Sequence, residues 1–316
     1  MSTQPWAFDR VAGERDDTEL VARSLQHPEA RVIIVRAGKT PWRDGPVLFT
    51  AQEARRILGD TGSADSTPAE DVQWAFLGHL SSKTPVLLAA LAEEHMLSSE
   101  HDLGDDEWGG VRDSANLSAE HAELLVTAVS LAAWLVRNTY CSSCGRQLET
   151  QQSGWSRRCD HCRREFFPRT DPAVIVAVRS SDGDKLLLGA NAAWRGEMYS
   201  CFAGFVEAGE SLETTVHREI AEEAGVRLSD VAYLSSQPWP FPHSLMVGFH
   251  AVAIDDSAAH GDGDEIIAVR WLTRAEIGSA LRGDGPVGLP GPASIARTLI
   301  EDWYHRGGGE NQGEVA

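Results

Sequence analysis

Four cysteines, Cys141, Cys144, Cys159 and Cys162, form a C-x2-C-x14-C-x2-C array. Paired C-x2-C elements at this separation make two tight knuckles that can close around one tetrahedral ion, so the spacing predicts a four-thiolate Zn2+ site in a ribbon over 138–168. With four protein ligands no coordination position remains for water, and this zinc is expected to be structural. A pair of disulfides is the competing reading, disfavoured in a reducing compartment. His161 lies between two of the cysteines, and Cys201 stands alone and reads as a small core residue.

A second group is acidic. Within residues 204–226, Ser211 is a candidate N-cap and Gly225 a candidate terminator, and Val216, Ile220 and Ala224 recur every fourth position as a buried stripe. At ~100° per residue, Glu219, Glu222 and Glu223 share an arc of roughly 100° beside that stripe. Three anions on one helix edge, drawn toward the protein body, repel one another and lose hydration. A divalent cation reverses that cost, and hard carboxylate oxygens with room for water suit Mg2+ or Mn2+, which favours a phosphate-bearing ligand. Taken alone, a glutamate-rich helix also reads as a solvated face.

These groups need elements to hold them. The chain has 316 residues, 42% hydrophobic and 24% charged, enough for two folded units. Residues 1–137 read as an N-terminal α/β domain, with a strand over Arg31 to Arg36 and a helix from Ser118 to about Asn138. Loops are expected over 60–66 and over 98–110, the latter with the acidic cluster Glu100, Asp102, Asp105, Asp106 and Glu107. Beyond the ribbon, strands over Ala173 to Val178, Lys185 to Leu188, Leu245 to Ala253 and Ile266 to Trp271 alternate with the glutamate helix in an α/β domain over 169–306. The polar, glycine-rich 307–316 reads as a disordered tail. The apolar run Leu124 to Val136 is short for a bilayer crossing and the first thirty residues lack a signal-peptide core, so a cytoplasmic protein with no membrane partner is expected. A net charge of −19 argues against a general nucleic-acid surface.

The glycines around the helix sharpen the reading. Gly204, Glu210, Arg218, Glu219, Ile220, Glu222, Glu223, Gly225 and Val226 fit G-x5-E-x7-R-E-U-x-E-E-x-G-U at every fixed position, U being a bulky aliphatic residue. The chain thereby resembles the Nudix hydrolases. Ser236-Gln237-Pro238-Trp239-Pro240-Phe241-Pro242-His243-Ser244, beginning ten residues beyond the box, is similar to the SQPWPFPxS array of the NADH pyrophosphatase branch, which also carries a zinc ribbon. Its three prolines suit a stiff extended loop, with Trp239 and Phe241 offering flat faces and Gln237 and Ser244 hydrogen bonds. The resemblance runs from about Arg112 to Ala296; residues 1–110 match the family's variable N-terminal domain only in position and size.

The resemblance implies an α+β chain ending in a Nudix α/β/α sandwich. It implies metal-dependent cleavage of the NADH or NAD pyrophosphate to nicotinamide mononucleotide and AMP, with removal of NAD caps from RNA 5′ ends allowed, in a homodimer. Glu219 and Glu223 are expected as Mg2+ or Mn2+ ligands, with the Ala203 carbonyl and a later acid, Glu265 ahead of Asp262 or Asp264. Glu222 is expected to complete the metal cluster or take a proton from the attacking water, and Arg218 to hold a carboxylate. Substrate contacts are implied for Phe205, Phe167, the run Gln237 to Ser244, and more weakly Arg112 and Ala296. Phe167 stands where the family usually has Tyr, and Gly154 where it has a substrate-contacting acid. Substrate preference stays open among NADH, NAD, NADPH, capped RNA, ADP-ribose, dinucleoside polyphosphates and coenzyme A, as does a zinc-ribbon protein that only binds nucleotides.

Overall fold

The computed structural model describes residues 7–59, 72–95, 97, 108–194 and 198–306. The expected loop over 60–66, the acidic cluster of 100–107 and the tail 307–316 lie outside these residues. The chain divides into two compact units, 1–169 and 170–316, so the ribbon falls with the N-terminal segment.

In the first unit, α1 (Leu20–Gln26), β1 (Arg31–Arg36), β2 (Lys39–Pro41), β3 (Phe49–Thr50) and α2 (Ala51–Ile57) are followed by β4 (Val72–His79), β5 (Pro85–Leu91) and β6 (Trp108–Gly110). The strands form one sheet in the order β4-β5-β1-β2-β6, with β3 also on β1. Trp108 to Gly110, expected within a loop, instead pair with β2. Val32, Ile34, Leu87 and Ala89 alternate onto the face covered by Leu25 of α1 and by Ala54 and Ile57 of α2, the two-residue period of strands buried on both sides. The helix α3 (Ala119–Arg137), N-capped by Ser118, packs on β1, β4 and β5. By length and composition α3 could cross a membrane, but half of it is buried within this unit, where Leu124, Leu125, Ala128 and Leu135 are fully enclosed.

The ribbon strands β7 (Glu149–Gln151), β8 (Ser156–Arg158) and β9 (Glu165–Phe166) form a small antiparallel sheet. It is fastened to the N-terminal sheet by Trp155 Nε1 donating to the Phe76 carbonyl at 2.7 Å, and to the segment before α1 by Ser153 Oγ donating to the Arg15 carbonyl at 3.1 Å. Arg157, 2% exposed, donates to Gln73 Oε1 at 2.7 Å and to the Asn138 carbonyl. Gly154 explains the departure from the family pattern: it holds φ +99°, and a Cβ there would sit 2.2 Å from Ala75 Cβ. No acidic side chain fits.

In the second unit, β10 (Asp171–Arg179), β11 (Lys185–Asn191), β12 (Phe202–Phe205), α4 (Leu212–Ala224), β13 (Leu228–Trp239), β14 (Ser244–Ala253), β15 (Ile266–Thr273), α5 (Arg274–Arg282) and α6 (Ile295–Arg306) build an α/β/α sandwich. The sheet order is β13-β14-β10-β11-β15, with β12 on β10 and β10 parallel to β14. Val174, Val176 and Val178 face Val216, Ile220 and Ala224 of α4. The alternate residues Ile175 and Ala177 face Ile277 of α5 and Leu299, Ile300 and Trp303 of α6. The proline-rich motif is not an extended loop: Ser236 to Trp239 end β13, Ser244 opens β14, and the intervening residues are a hairpin turn.

Gly154→Asp, which writes the family's acid into this chain, should lower unfolding stability by at least about 2 kcal/mol through overpacking and backbone strain, read from urea denaturation of the whole chain.

Candidate active site

Helix α4 exists because its ends are capped and one stripe is buried. Ser211 Oγ accepts from Thr214 N at 3.1 Å, and Gly225 ends the helix at φ +67°, where a Cβ would also strike the His260 ring. Val216, Ile220 and Ala224 are fully buried. Glu219 and Glu223, one turn apart on the flank of that stripe, are drawn inward with it: Glu223 is 6% exposed and the Glu219 side chain 12%.

Glu222 is different. On a helical wheel it stands roughly 160° from the centre of the stripe, and its side chain is 61% exposed, held by Arg218 at 3.1 Å. It does not line the cavity into which Glu219 and Glu223 point. The expectation that Glu222 joins the metal cluster or activates water there is corrected accordingly.

That cavity, about 510 Å3, lies at the end of α4 beside β12 and the β13–β14 hairpin. Its walls include Ala203, Glu219, Glu223, Glu265, Phe205 and Trp239. Glu265, just before β15, is the late acid that reaches it, steadied by Asn191 Nδ2 at 3.2 Å. Asp262 is occupied elsewhere: its Oδ1 accepts from the backbone of Asp264 at 2.8 Å and of Ile266 at 3.0 Å. Asp264 is exposed and does not line the cavity.

Burial first, then the charges of Glu265, Glu219 and Asp262, pushes the Glu223 carboxyl up to about 8, against a lowering hydrogen bond from the Ala203 backbone. Burial likewise raises Glu219, against its ion pair with Arg218. Glu223 Oε2 is enclosed without a hydrogen-bond partner. An orphaned, desolvated carboxylate oxygen facing two further carboxylates is a donor set that a hard divalent cation satisfies. These oxygens are spread more widely than the cysteine sulfurs, which among the described residues are the one such cluster with all ligand atoms within 4.8 Å of one another.

Arg218 ties this edge of the helix to the preceding loop. It donates to Glu210 through Nε at 2.7 Å and a terminal nitrogen at 2.9 Å, donates to the Phe205 carbonyl at 3.0 Å, and pairs with Glu219 at 2.9 Å. Glu210, which also accepts from Thr215 Oγ1 and the Glu207 backbone, is pulled down to about 2, Arg218 being the largest cause. A Cβ at Gly204 would lie 1.9 Å from the Glu219 carboxylate, so a larger residue there would displace that side chain.

The hairpin turn contributes Trp239, Phe241 and Ser244 to the cavity wall, with the two rings edge to face at 5.4 Å. Phe205 joins them, 50% exposed. Other motif positions do not. Gln237 donates to the Ala293 carbonyl at 2.9 Å and accepts from Ile295 N at 2.7 Å, capping α6, so its amide is structural rather than substrate-facing. Pro238 and Pro242 are exposed and Pro240 is buried; none lines the cavity, and His243 lies 3.1 Å from Asp171. Ala296, on the buried face of α6, is 5% exposed and does not line the cavity. Phe167, 58% exposed, and Arg112, in the turn after β6, belong to the first unit. Glu207 and Asn191 were not singled out by sequence reasoning, lying outside any recurring pattern.

In the ribbon, the sulfurs of Cys141 and Cys162 are 3.4 Å apart, of Cys144 and Cys159 3.5 Å, and of Cys144 and Cys162 3.9 Å. A tetrahedron with metal–sulfur bonds of ~2.3 Å has edges of ~3.8 Å. All four are free thiols, and His161 stays outside the group. The neighbouring sulfurs of Cys159 and Cys141 push the Cys162 thiol up to about 12, the cost of crowding thiols that a bound cation would relieve.

Gly204→Ala should cut turnover at least about a hundredfold by displacing Glu219, while the melting temperature moves by only a few degrees; steady-state kinetics and calorimetry check both.

A NUDIX domain model matches residues 169–288. The NAD-capped RNA hydrolase NudC of Mycobacterium bovis (strain BCG / Pasteur 1173P2) is 43% identical, covering 94% of this chain and 94% of its own. The protein of the same name from Yersinia enterocolitica is 37% identical, covering 61% of this chain and 70% of its own. Among solved structures, a NUDIX hydrolase from Nitrosomonas europaea matches at 23% identity and TM-score 0.37, covering 48% of this chain and 97% of its own. With Glu219 and Glu223 of the box meeting on one cavity and a 43% identical relative spanning nearly all of both chains, this chain belongs to the NADH pyrophosphatase branch of the Nudix hydrolases.

Proposed function

We propose that the chain hydrolyses the pyrophosphate bridge of NADH or NAD, giving nicotinamide mononucleotide (reduced or oxidised) and AMP, and removes NAD caps from RNA 5′ ends. The observation that carries the reading is the meeting of Glu219, Glu223 and Glu265 on a cavity flanked by Phe205, Trp239 and Phe241. Carboxylates and aromatic faces on one cavity suit a ligand that carries both charged phosphates and flat rings. The relatives named above, NAD-capped RNA hydrolases, support the same substrate class.

Glu219, Glu223 and Glu265, with the Ala203 backbone, would hold Mg2+ or Mn2+, which supplies charge neutralisation of the diphosphate and a more acidic bound water. The chain's own residues do the rest. Arg218 fixes Glu219 and the loop from Phe205 to Glu210, so the carboxylates do not have to reorganise when substrate arrives. Phe205, Trp239 and Phe241 take ring faces and align the bridge. A cavity carboxylate accepts the proton of the attacking water as one bridging P–O bond breaks, and the leaving phosphate departs as the second mononucleotide. Zn2+ at the four cysteines would hold the ribbon's shape, and Phe167 would supply a further ring. Homodimerisation and a cytoplasmic location without a membrane role are part of the same proposal.

The test is incubation of purified protein with NADH and Mn2+ in 18O-labelled water, weighing both products, beside a panel including ADP-ribose and coenzyme A. One label in one mononucleotide is expected; a strong preference for ADP-ribose, or no cleavage, would overturn the proposal. Glu223→Gln should lose at least about a thousandfold in kcat with the fold intact by circular dichroism, whereas Glu222→Gln, outside the cavity, should stay within roughly tenfold of the parent.

A further inference from the structure

The chain is acidic, but unevenly so. Of its 28 basic residues, six fall within 139–169, against three of its 47 acidic ones. Arg157 is buried, while Arg146, Arg158, Arg163, Arg164 and Arg169 are exposed.

The knuckles bring three of these to one end. Cys141 N donates to the Arg146 carbonyl at 2.7 Å and Gly145 N to the Cys141 carbonyl at 2.8 Å. The second knuckle repeats this, with Cys159 N to the Arg164 carbonyl at 2.9 Å and Arg163 N to the Cys159 carbonyl at 2.8 Å. Arg146 and Arg164 are thus equivalent, and Arg164 reaches across to Ser143 Oγ of the first knuckle at 2.6 Å. Tyr140, 67% exposed, precedes the first knuckle and pairs with Gln147 across its base.

Four thiolates around a divalent ion carry two net negative charges. With the three acids that offsets the charge of the five exposed arginines, so the ribbon surface is close to neutral in a chain of net charge −19, and it gives no reason for an exposed tyrosine. Guanidinium forks beside an exposed aromatic face are what a single-stranded nucleic acid meets on its phosphates and bases.

We propose that the knuckle end of the ribbon, through Arg146, Arg163, Arg164 and Tyr140, docks the single-stranded body of a capped RNA. This rests on the function proposed above. A free dinucleotide brings only its bridging phosphates, which belong to the cavity of the second unit, whereas an RNA adds a phosphate with each nucleotide. The acidic remainder of the surface repels that chain and leaves the ribbon as its place of contact.

The test compares the parent with Arg146→Gln/Arg163→Gln and Arg146→Lys/Arg163→Lys, all with zinc content confirmed. Substrates are NADH and an unstructured NAD-capped RNA, between about 50 and 200 mM salt. The glutamine pair should raise KM for the RNA about tenfold at low salt and flatten the log–log salt slope by about 1.4, some 0.7 per lost phosphate contact. It should leave NADH cleavage within about twofold, with the lysine pair close to the parent. Unchanged RNA kinetics, an equal loss on NADH, or competition by polyglutamate or duplex RNA as strong as that of uncapped single strands would overturn the proposal. Were the parent inactive on both substrates, the proposed function would fail instead, and fluorescence anisotropy with uncapped single-stranded RNA would still decide the docking: affinity lost in the glutamine pair sustains it, affinity unchanged overturns it.

Discussion

The second unit is organised around mutual repulsion among Glu219, Glu223 and Glu265. Two of these carboxylates sit on the flank of a buried helical stripe, and burial with like charge raises the proton affinity of both. Left to itself a helix would turn such an edge to water. The fold prevents this by packing Val216, Ile220 and Ala224 against β10, so the glutamates on the flank go inward whether or not their charges favour it. Arg218 supplies the local counter-charge, and a glycine at 204 keeps β12 clear of the Glu219 carboxylate. The remaining imbalance is what a doubly charged cation and a phosphate bridge would relieve.

Much of this was legible in the sequence because it depends on short-range periodicity. Ser211, Gly225 and the stripe between them mark α4 almost to the residue, and the paired C-x2-C elements mark the knuckles. The position of Glu222 was available from the same helical wheel, since the arc holding all three glutamates ends nearly opposite the stripe. The preference for Glu265 over its neighbours also has a local signal: Asp262-Gly263-Asp264 is a side-chain-capped turn, which consumes the Asp262 carboxylate.

What escaped depends on distant partners. Gln237 is committed to residues 56 and 58 positions away, and no local pattern announces that. Ala296 is buried by strands more than a hundred residues earlier in the chain. Gly154 shows the same limit from the other side. Its departure from the family pattern reads from sequence as a missing contact, whereas the structure supplies a steric reason in Ala75 of β4.

The capping of α6 by Gln237 has a consequence for the whole unit. The strand carrying that amide runs on, two residues later, into Trp239 and the aromatic turn, so α6 and the cavity's rings share one mechanical anchor. A segment that contributes no wall to the pocket therefore steadies the surface on which a nucleotide ring would rest. Loosening the C-terminal end of the chain would be felt as blunted selectivity among ligands before it was felt as a loss of chemistry.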